Sequence, residues 1–138
     1  MTNWLAGMRI TADRLNDNTL EDSTTTGATA ATGFTVSDFS GRKVNGITTI
    51  TITCSRSGAD ITETSAGTGN IGDTTMATLP SGWRPPELME AIWDSGFNDG
   101  GCTINTSGVI TLRTTSGSSG IATGNNPRVS ATWISENG

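Results

Sequence analysis

Between Thr49 and Cys54 the chain alternates strictly: Ile50, Ile52 and Cys54 fall on one side, and Thr49, Thr51 and Thr53 on the other. A period of two marks a strand with one buried and one wet face. The pattern starts near Val44, so the expected strand is Val44 to Cys54. Ile47 falls on the wrong face for one unbroken strand. Asn45-Gly46 just before it reads as a tight turn or a bulge, and the misplaced Ile47 favours the bulge. Upstream, Phe34, Val36 and Phe39 give an earlier strand with Ser40-Gly41 as its turn.

The same pattern recurs downstream. After a turn at Arg56-Ser57-Gly58, Ala59 to Glu63 reads as a short strand and Thr64 to Asn70 as a polar loop. Ile71 to Leu79 is strand-like and ends at Leu79-Pro80, with a turn at Ser81-Gly82 and a polyproline-like connector at Arg84-Pro85-Pro86. Glu87 to Asp94 is ambiguous. Leu88, Ile92 and Trp93 fit a helical stripe, whereas Met89, Ala91 and Trp93 fit one strand face. Its shortness and the two preceding prolines favour a strand. Asp94 to Gly101 reads as a loop. Cys102 to Asn105 and Val109 to Arg113 form a hairpin about Ser107-Gly108, and Thr114 to Gly120 is a Ser/Gly loop tip. Arg128 to Ile134 closes the series with Val129, Ala131 and Trp133 on one face. About seven to nine short antiparallel strands at even spacing predict an all-β fold, an antiparallel β-sandwich or jelly roll.

The first residues break this rhythm. Trp4, Leu5, Met8, Ile10 and Leu15 are apolar anchors in an otherwise polar stretch. Thr11 suits an N-cap, Asp13 lies in the first turn, and Ile10 with Leu15 has hydrophobic-staple spacing. A short helix from about Ala12 to Glu21 is expected, too short to stand alone. Residues 22–33 are small and polar and read as a linker or an exposed first strand. The expected organisation is an N-terminal arm with one helix, residues 1–33, and a head domain, residues 34–138. The arm's apolar residues would then serve particle anchoring or subunit contact.

Composition sharpens this picture. Leu, Ile, Val and Phe number 24 of 138 residues, while Thr is the commonest residue and Gly contributes 18. Such a thin core suggests self-association, which buries further surface. The net charge is −5 and the eight basic residues are scattered, which argues against nucleic acid. No apolar run approaches a membrane span, and no secretion signal is visible at the N-terminus. Two cysteines make no disulfide framework. Cys54 and Cys102 share faces with isoleucines and read as buried small apolar residues.

Candidate chemistry is sparse. The chain has no His and no Tyr, which removes the commonest general base. The carboxylate pairs Asp60 with Glu63 and Asp94 with Asp99 read better as solvated loop charges than as a glycosidase pair. Residues 94–100 resemble a calcium loop only faintly, because a ligand at the third position and the closing glutamate are missing. No metal, cofactor or catalytic residue is expected. Trp93 and Trp133 belong to the core. Trp83 with Arg84 is the candidate contact, through an exposed ligand-binding ring, a cap on the core, or a subunit interface.

A family resemblance lies on Asn70-Ile71-Gly72-Asp73, on Thr78-Leu79-Pro80-Ser81-Gly82-Trp83-Arg84-Pro85-Pro86, on Gly101-Cys102-Thr103-Ile104 and on Ser107-Gly108-Val109-Ile110-Thr111-Leu112. This combination, spanning about residues 40 to 135, resembles the fibre-tip and receptor-binding head domains of tailed-bacteriophage appendage proteins. The segment Trp4 to Asn16 resembles the opening of many virion proteins of actinobacterial phages and prophages. The resemblance implies a homotrimeric β-sandwich on a virion surface, with capsid or tail proteins and other copies of itself as partners. It supplies no catalytic residues. No shaft of repeats separates arm from head, which favours a short knob or decoration over a long fibre. Host-surface adhesion, with saccharide as ligand class, is expected of its loops. The alternatives are a dedicated tail receptor-binding protein and a polysaccharide-cleaving enzyme.

Overall fold

The computed structural model describes residues 21–116 and 119–135. Nine strands make up the ordered elements: β1 (Glu21–Thr24), β2 (Thr29–Ala30), β3 (Phe34–Val44), β4 (Ile47–Arg56), β5 (Asn70–Thr78), β6 (Met89–Asp94), β7 (Asp99–Ile104), β8 (Val109–Thr114) and β9 (Arg128–Ile134). No helix occurs among the described residues. All pairings are antiparallel and join one sheet in the order β1-β3-β4-β9-β6-β7-β8-β5-β2. Hydrogen bonding therefore runs through a single curled sheet rather than dividing into two. β6 and β9 share only the pairs Trp93↔Val129 and Asp94↔Arg128.

Curling gives the sheet an inside. In β4, Thr48, Ile50, Ile52 and Cys54 are buried, while Thr49 and Thr51 face solvent, as the alternation predicts. Val129, Ala131 and Trp133 of β9 continue that layer. The opposite wall supplies Met76, Ile104, Ile110 and Leu112 to the same cluster. Trp93, in one of those two pairs, has no exposed surface, and its Nε1 donates to the Thr114 carbonyl oxygen at 2.9 Å. Gly100 makes room for this bond, since a Cβ there would lie 1.9 Å from that oxygen and 2.7 Å from the indole nitrogen.

Several expectations change. Asn45-Gly46 is a two-residue turn, not a bulge: φ is 49° at Asn45 and 77° at Gly46, and Val44 faces Ile47 across it. Both left-handed angles suit the twist of a tight hairpin. Ile47 is therefore the first outward residue of β4. The bulge lies instead in β3, between Val36 and Asp38, and lets Phe34 and Phe39 both point inward. Ser40-Gly41 is not a turn but lies within β3. The short strand expected at 59–63 is reduced to one bridge, Ile61↔Ile121. The loop expected at 94–101 shrinks to Ser95–Asn98, because Asp94 and Asp99 are paired.

Of the strand expected over Glu87 to Asp94, Met89–Asp94 is a strand, β6, while Glu87 and Leu88 still belong to the connector, and the Cys102 to Arg113 hairpin is present as β7 and β8. The helix expected at 12–21 falls outside the described residues except for Glu21, which opens β1. Residues 22–33, read as a linker or an exposed first strand, supply most of β1 and all of β2, the two outer strands of the sheet.

Candidate functional site

The register gives the molecule two distinct ends. At one, called the base, Glu21, Val44, Ile47 and Ile134 form a single cross-strand row. The turn at Asn45-Gly46, the Leu79 to Arg84 corner and the turn at Asn105–Gly108 lie at this end, as does the point where residues 1–20 join the sheet. The other end, the tip, gathers the segments 57–69 and 95–98 and the described parts of 115–127. Its register is fixed by Asp94↔Asp99, Asp94↔Arg128 and Asn70↔Thr114.

The tip is held by hydrogen bonds. Ile61 and Ile121 exchange N–H···O bonds at 2.9 and 2.8 Å and bury both side chains between the loops. Asp60 Oδ1 accepts from the Thr123 amide at 2.7 Å and from its hydroxyl at 3.0 Å. Those bonds hold the Asp60 carboxyl below its usual range. The Glu63 carboxylate accepts from the Gly67 and Gly69 amides at 2.6 and 2.7 Å. Arg56 stacks on Phe34 at 4.7 Å while donating to the Gly33 and Ala59 carbonyls. Asp60 and Glu63, read from sequence as solvated charges, are thus the acceptors that shape the loops.

One side chain stands out against this polar surface. Phe97, on the β6–β7 turn, is 92% exposed. The turn beneath it is tied on every side. Asp94 Oδ1 accepts from the Gly96 amide at 2.6 Å, the Ser95 amide donates to the Asn98 carbonyl at 2.9 Å, and Asn98 Nδ2 donates to the Gly120 carbonyl. The turn's backbone is tied while the ring itself stands in water, which makes Phe97 a candidate contact. Beside Gly120 lies a hollow of ≈ 230 Å³ lined by Thr62, Glu63, Ala66, Ser119 and Gly120. Sequence reasoning missed Phe97. Its signal was a lone aromatic residue inside the polar turn Ser95-Gly96-Phe97-Asn98.

Trp83 and Arg84 lie at the base. Trp83 is only 7% exposed and packs against Gly41, where a Cβ would sit 2.5 Å from the indole ring. Lys43 Nζ lies 4.8 Å from the ring centroid on the remaining side. Trp83 therefore caps the core, and a ligand stacking on it would first have to displace Lys43. Arg84 Nε donates to the Leu79 carbonyl at 3.0 Å, and the Leu79 amide donates to the Gly108 carbonyl at 2.9 Å. Arg84 thus fastens the corner to the β7–β8 turn. Trp4, Leu5, Met8, Ile10 and Leu15 lie outside the described residues.

Other chemistry finds little support. Cys54 and Cys102 are free and buried, as expected, and burial pushes their thiols up to about 11 and about 12. Among the described residues no three His, Cys, Asp or Glu side chains converge as metal ligands. The residues of the faint calcium loop are the turn-forming groups beneath Phe97. A second, polar depression of ≈ 340 Å³ lies over Gly101, where Arg113 and Asp73 pair at 3.1 Å. No protein-family model matches the chain, and no curated protein matches it either.

Proposed function

We propose that this chain is a structural protein of a tailed-bacteriophage virion, a homotrimeric surface appendage that forms a short fibre or decoration on capsid or tail. In this reading the curled sheet works as a sandwich-like knob. β1-β3-β4-β9 form one wall and β6-β7-β8-β5-β2 the other. Residues 1–20, with Trp4, Leu5, Met8, Ile10 and Leu15, anchor the knob to other virion proteins. The observation that carries the reading is polarity: the arm joins the knob at the base, while the tied loops and Phe97 lie at the opposite end. A surface appendage needs that arrangement, one end for attachment and the other for display.

The exposed Phe97 favours a second reading in which the tip adheres to a host-surface saccharide. An exposed aromatic face at the same end of the molecule as hydroxyl, carboxylate and backbone groups suits a sugar ring. The hollow is smaller than the ~300 Å³ at which pockets begin to enclose a drug-sized ligand, so each contact would be weak. Three tips per trimer and many trimers per particle would supply avidity. A polysaccharide-cleaving role is less well supported, because Glu63 spends both carboxylate oxygens on backbone amides.

Light scattering on the full chain and on a chain starting at Glu21 tests the appendage reading. A start at Phe34 would strip β1 and β2 from the sheet and confuse anchoring with folding. Trimers from both chains support a knob that assembles by itself and leaves the arm for the particle. A monomeric full chain overturns the trimeric appendage.

A further inference from the structure

We infer that the half of the arm nearest the sheet, residues 10–20, seats on an apolar row at the base of its own chain, Leu15 over Ile47 and Ile10 over Ile134. This adds to the anchoring reading without resting on it, since it concerns the knob's own surface. Val44, Ile47 and Ile134 are direct cross-strand neighbours on the outer face of β3, β4 and β9. Val44 is half-buried, Ile47 is 49% exposed and Ile134 78%. Elsewhere the outward positions of β4 and β9 hold only Thr, Ser and, at the tip, Arg128. The outward apolar surface of these two strands is thus confined to the row at the base.

That row is held in place. The turn at Asn45-Gly46 joins Val44 to Ile47, the Ser135 amide donates to the Gly46 carbonyl at 2.7 Å, and the Ser135 and Thr48 hydroxyls bond each other. An apolar strip standing in water gains from a cover. The same row begins at Glu21, where β1 starts. Strand spacings place Ile47 ~10 Å and Ile134 ~14 Å from that point. Leu15 and Ile10 precede Glu21 by six and eleven residues. The shorter stretch spans ~9 Å as a helix and ~20 Å extended, and the longer one ~16 Å or more. With its side chain, Leu15 therefore reaches Ile47, and Ile10 reaches Ile134, in either conformation.

Tethering selects the arm as the occupant. A segment joined to the row by its own chain docks intramolecularly, at an effective concentration in the millimolar range for a short linker. It carries apolar side chains in an otherwise polar stretch, whereas the other end of the chain, Glu136-Asn137-Gly138, brings none. Charge does not interrupt the strip, because Arg42 stands one row further in, beside Thr49. Trp4, Leu5 and Met8 lie beyond the docked residues and stay available for the particle.

Thiol labelling of the full chain tests this, with circular dichroism to confirm folding. Cys54 and Cys102 are buried and leave an introduced thiol as the one that reacts. Ile134→Cys is labelled with a maleimide in the parent arm and in an arm carrying Ile10→Ser and Leu15→Ser. The arm variant is expected to speed labelling at least ~10-fold, and to leave Thr51→Cys, on the hydroxyl-covered part of the face, unchanged. No acceleration at Ile134→Cys, or an equal one at Thr51→Cys, overturns the inference. A short bismaleimide on Leu15→Cys with Ile134→Cys identifies whose arm is bound. A product within one chain supports this seat, and a product joining two chains, or none, overturns it. Each of these outcomes stands apart from the trimer, which light scattering decides.

Discussion

The base and the tip are closed by different physics. At the base, side chains do the sealing: Trp83 lies on Gly41, Leu79 is fully buried, and Trp133 ends the inner layer of β9. At the tip, backbone amides and carbonyls do it, through Ile61↔Ile121, Asp60, Glu63 and Asn98. A packed seal depends on the volume of each residue. A hydrogen-bonded seal fixes the backbone and leaves outward side chains open to change. The comparison teaches that this scaffold can vary the side chains of its tip while its base stays constrained.

Two aromatic residues make the difference measurable. Trp83→Ala at the base should cost about 3–5 kcal/mol, read as a fall in the denaturant midpoint. Phe97→Ala at the tip should move stability by no more than about 0.5 kcal/mol. It should nonetheless abolish adhesion of the knob to cell-surface polysaccharide in a pull-down, if the tip is the adhesive end. Comparable losses of stability at both sites would dissolve the distinction.

Adding volume probes the base from the other side. Gly41→Val drives a side chain into the Trp83 ring and should cost about 1–3 kcal/mol. Thermal unfolding measures it, and a variant as stable as the parent would show that Trp83 can yield.

Smaller effects follow from titration. The buried thiols ionise at about 11 and about 12 in the fold, against 9.0 for a thiol in water. The unfolded chain therefore releases these protons first. The thiol contribution to stability is complete below pH 9 and falls away as pH rises through 11 and 12. Denaturant midpoints between pH 8 and 11 check the sign, and Cys54→Ala with Cys102→Ala should flatten the decline. Asp60 behaves oppositely. Its depressed ionisation stabilises the tip above the ordinary carboxylate range, and the effect fades as pH falls through the folded value. A fall in the protection factor of the Thr123 amide at low pH, corrected for intrinsic exchange, with the protection of the base amides unchanged, is the expected mark.

Much of the fold was legible in the chain, and the reason is local. Thr49 to Cys54 states which residues face inward, because side chains alternate across a strand whatever it pairs with. The β7–β8 hairpin and the shortness of β6 were readable for the same reason. The turn at Asn45-Gly46 was misjudged because an apolar Ile47 on the face opposite Ile50 and Ile52 was taken as the sign of a bulge in one continuous strand. A strand's first outward residue need not be polar when its partner is another isoleucine, Ile134. The roles of Trp83, Asp60 and Glu63 were not legible, since each depends on groups remote in sequence, such as Gly41 or Thr123.

The sequence by itself determined the all-β class, the faces of β4 and β9, and the burial of Cys54 and Cys102. These follow from periodicity and residue type, which act over a few neighbours. Only the tertiary structure decided that β4 pairs with β9 and β5 with β8, that one sheet curls around a single core, and that Phe97 and the start of β1 lie at opposite ends. Those outcomes depend on contacts between distant segments, where burial and backbone hydrogen bonding must be satisfied together.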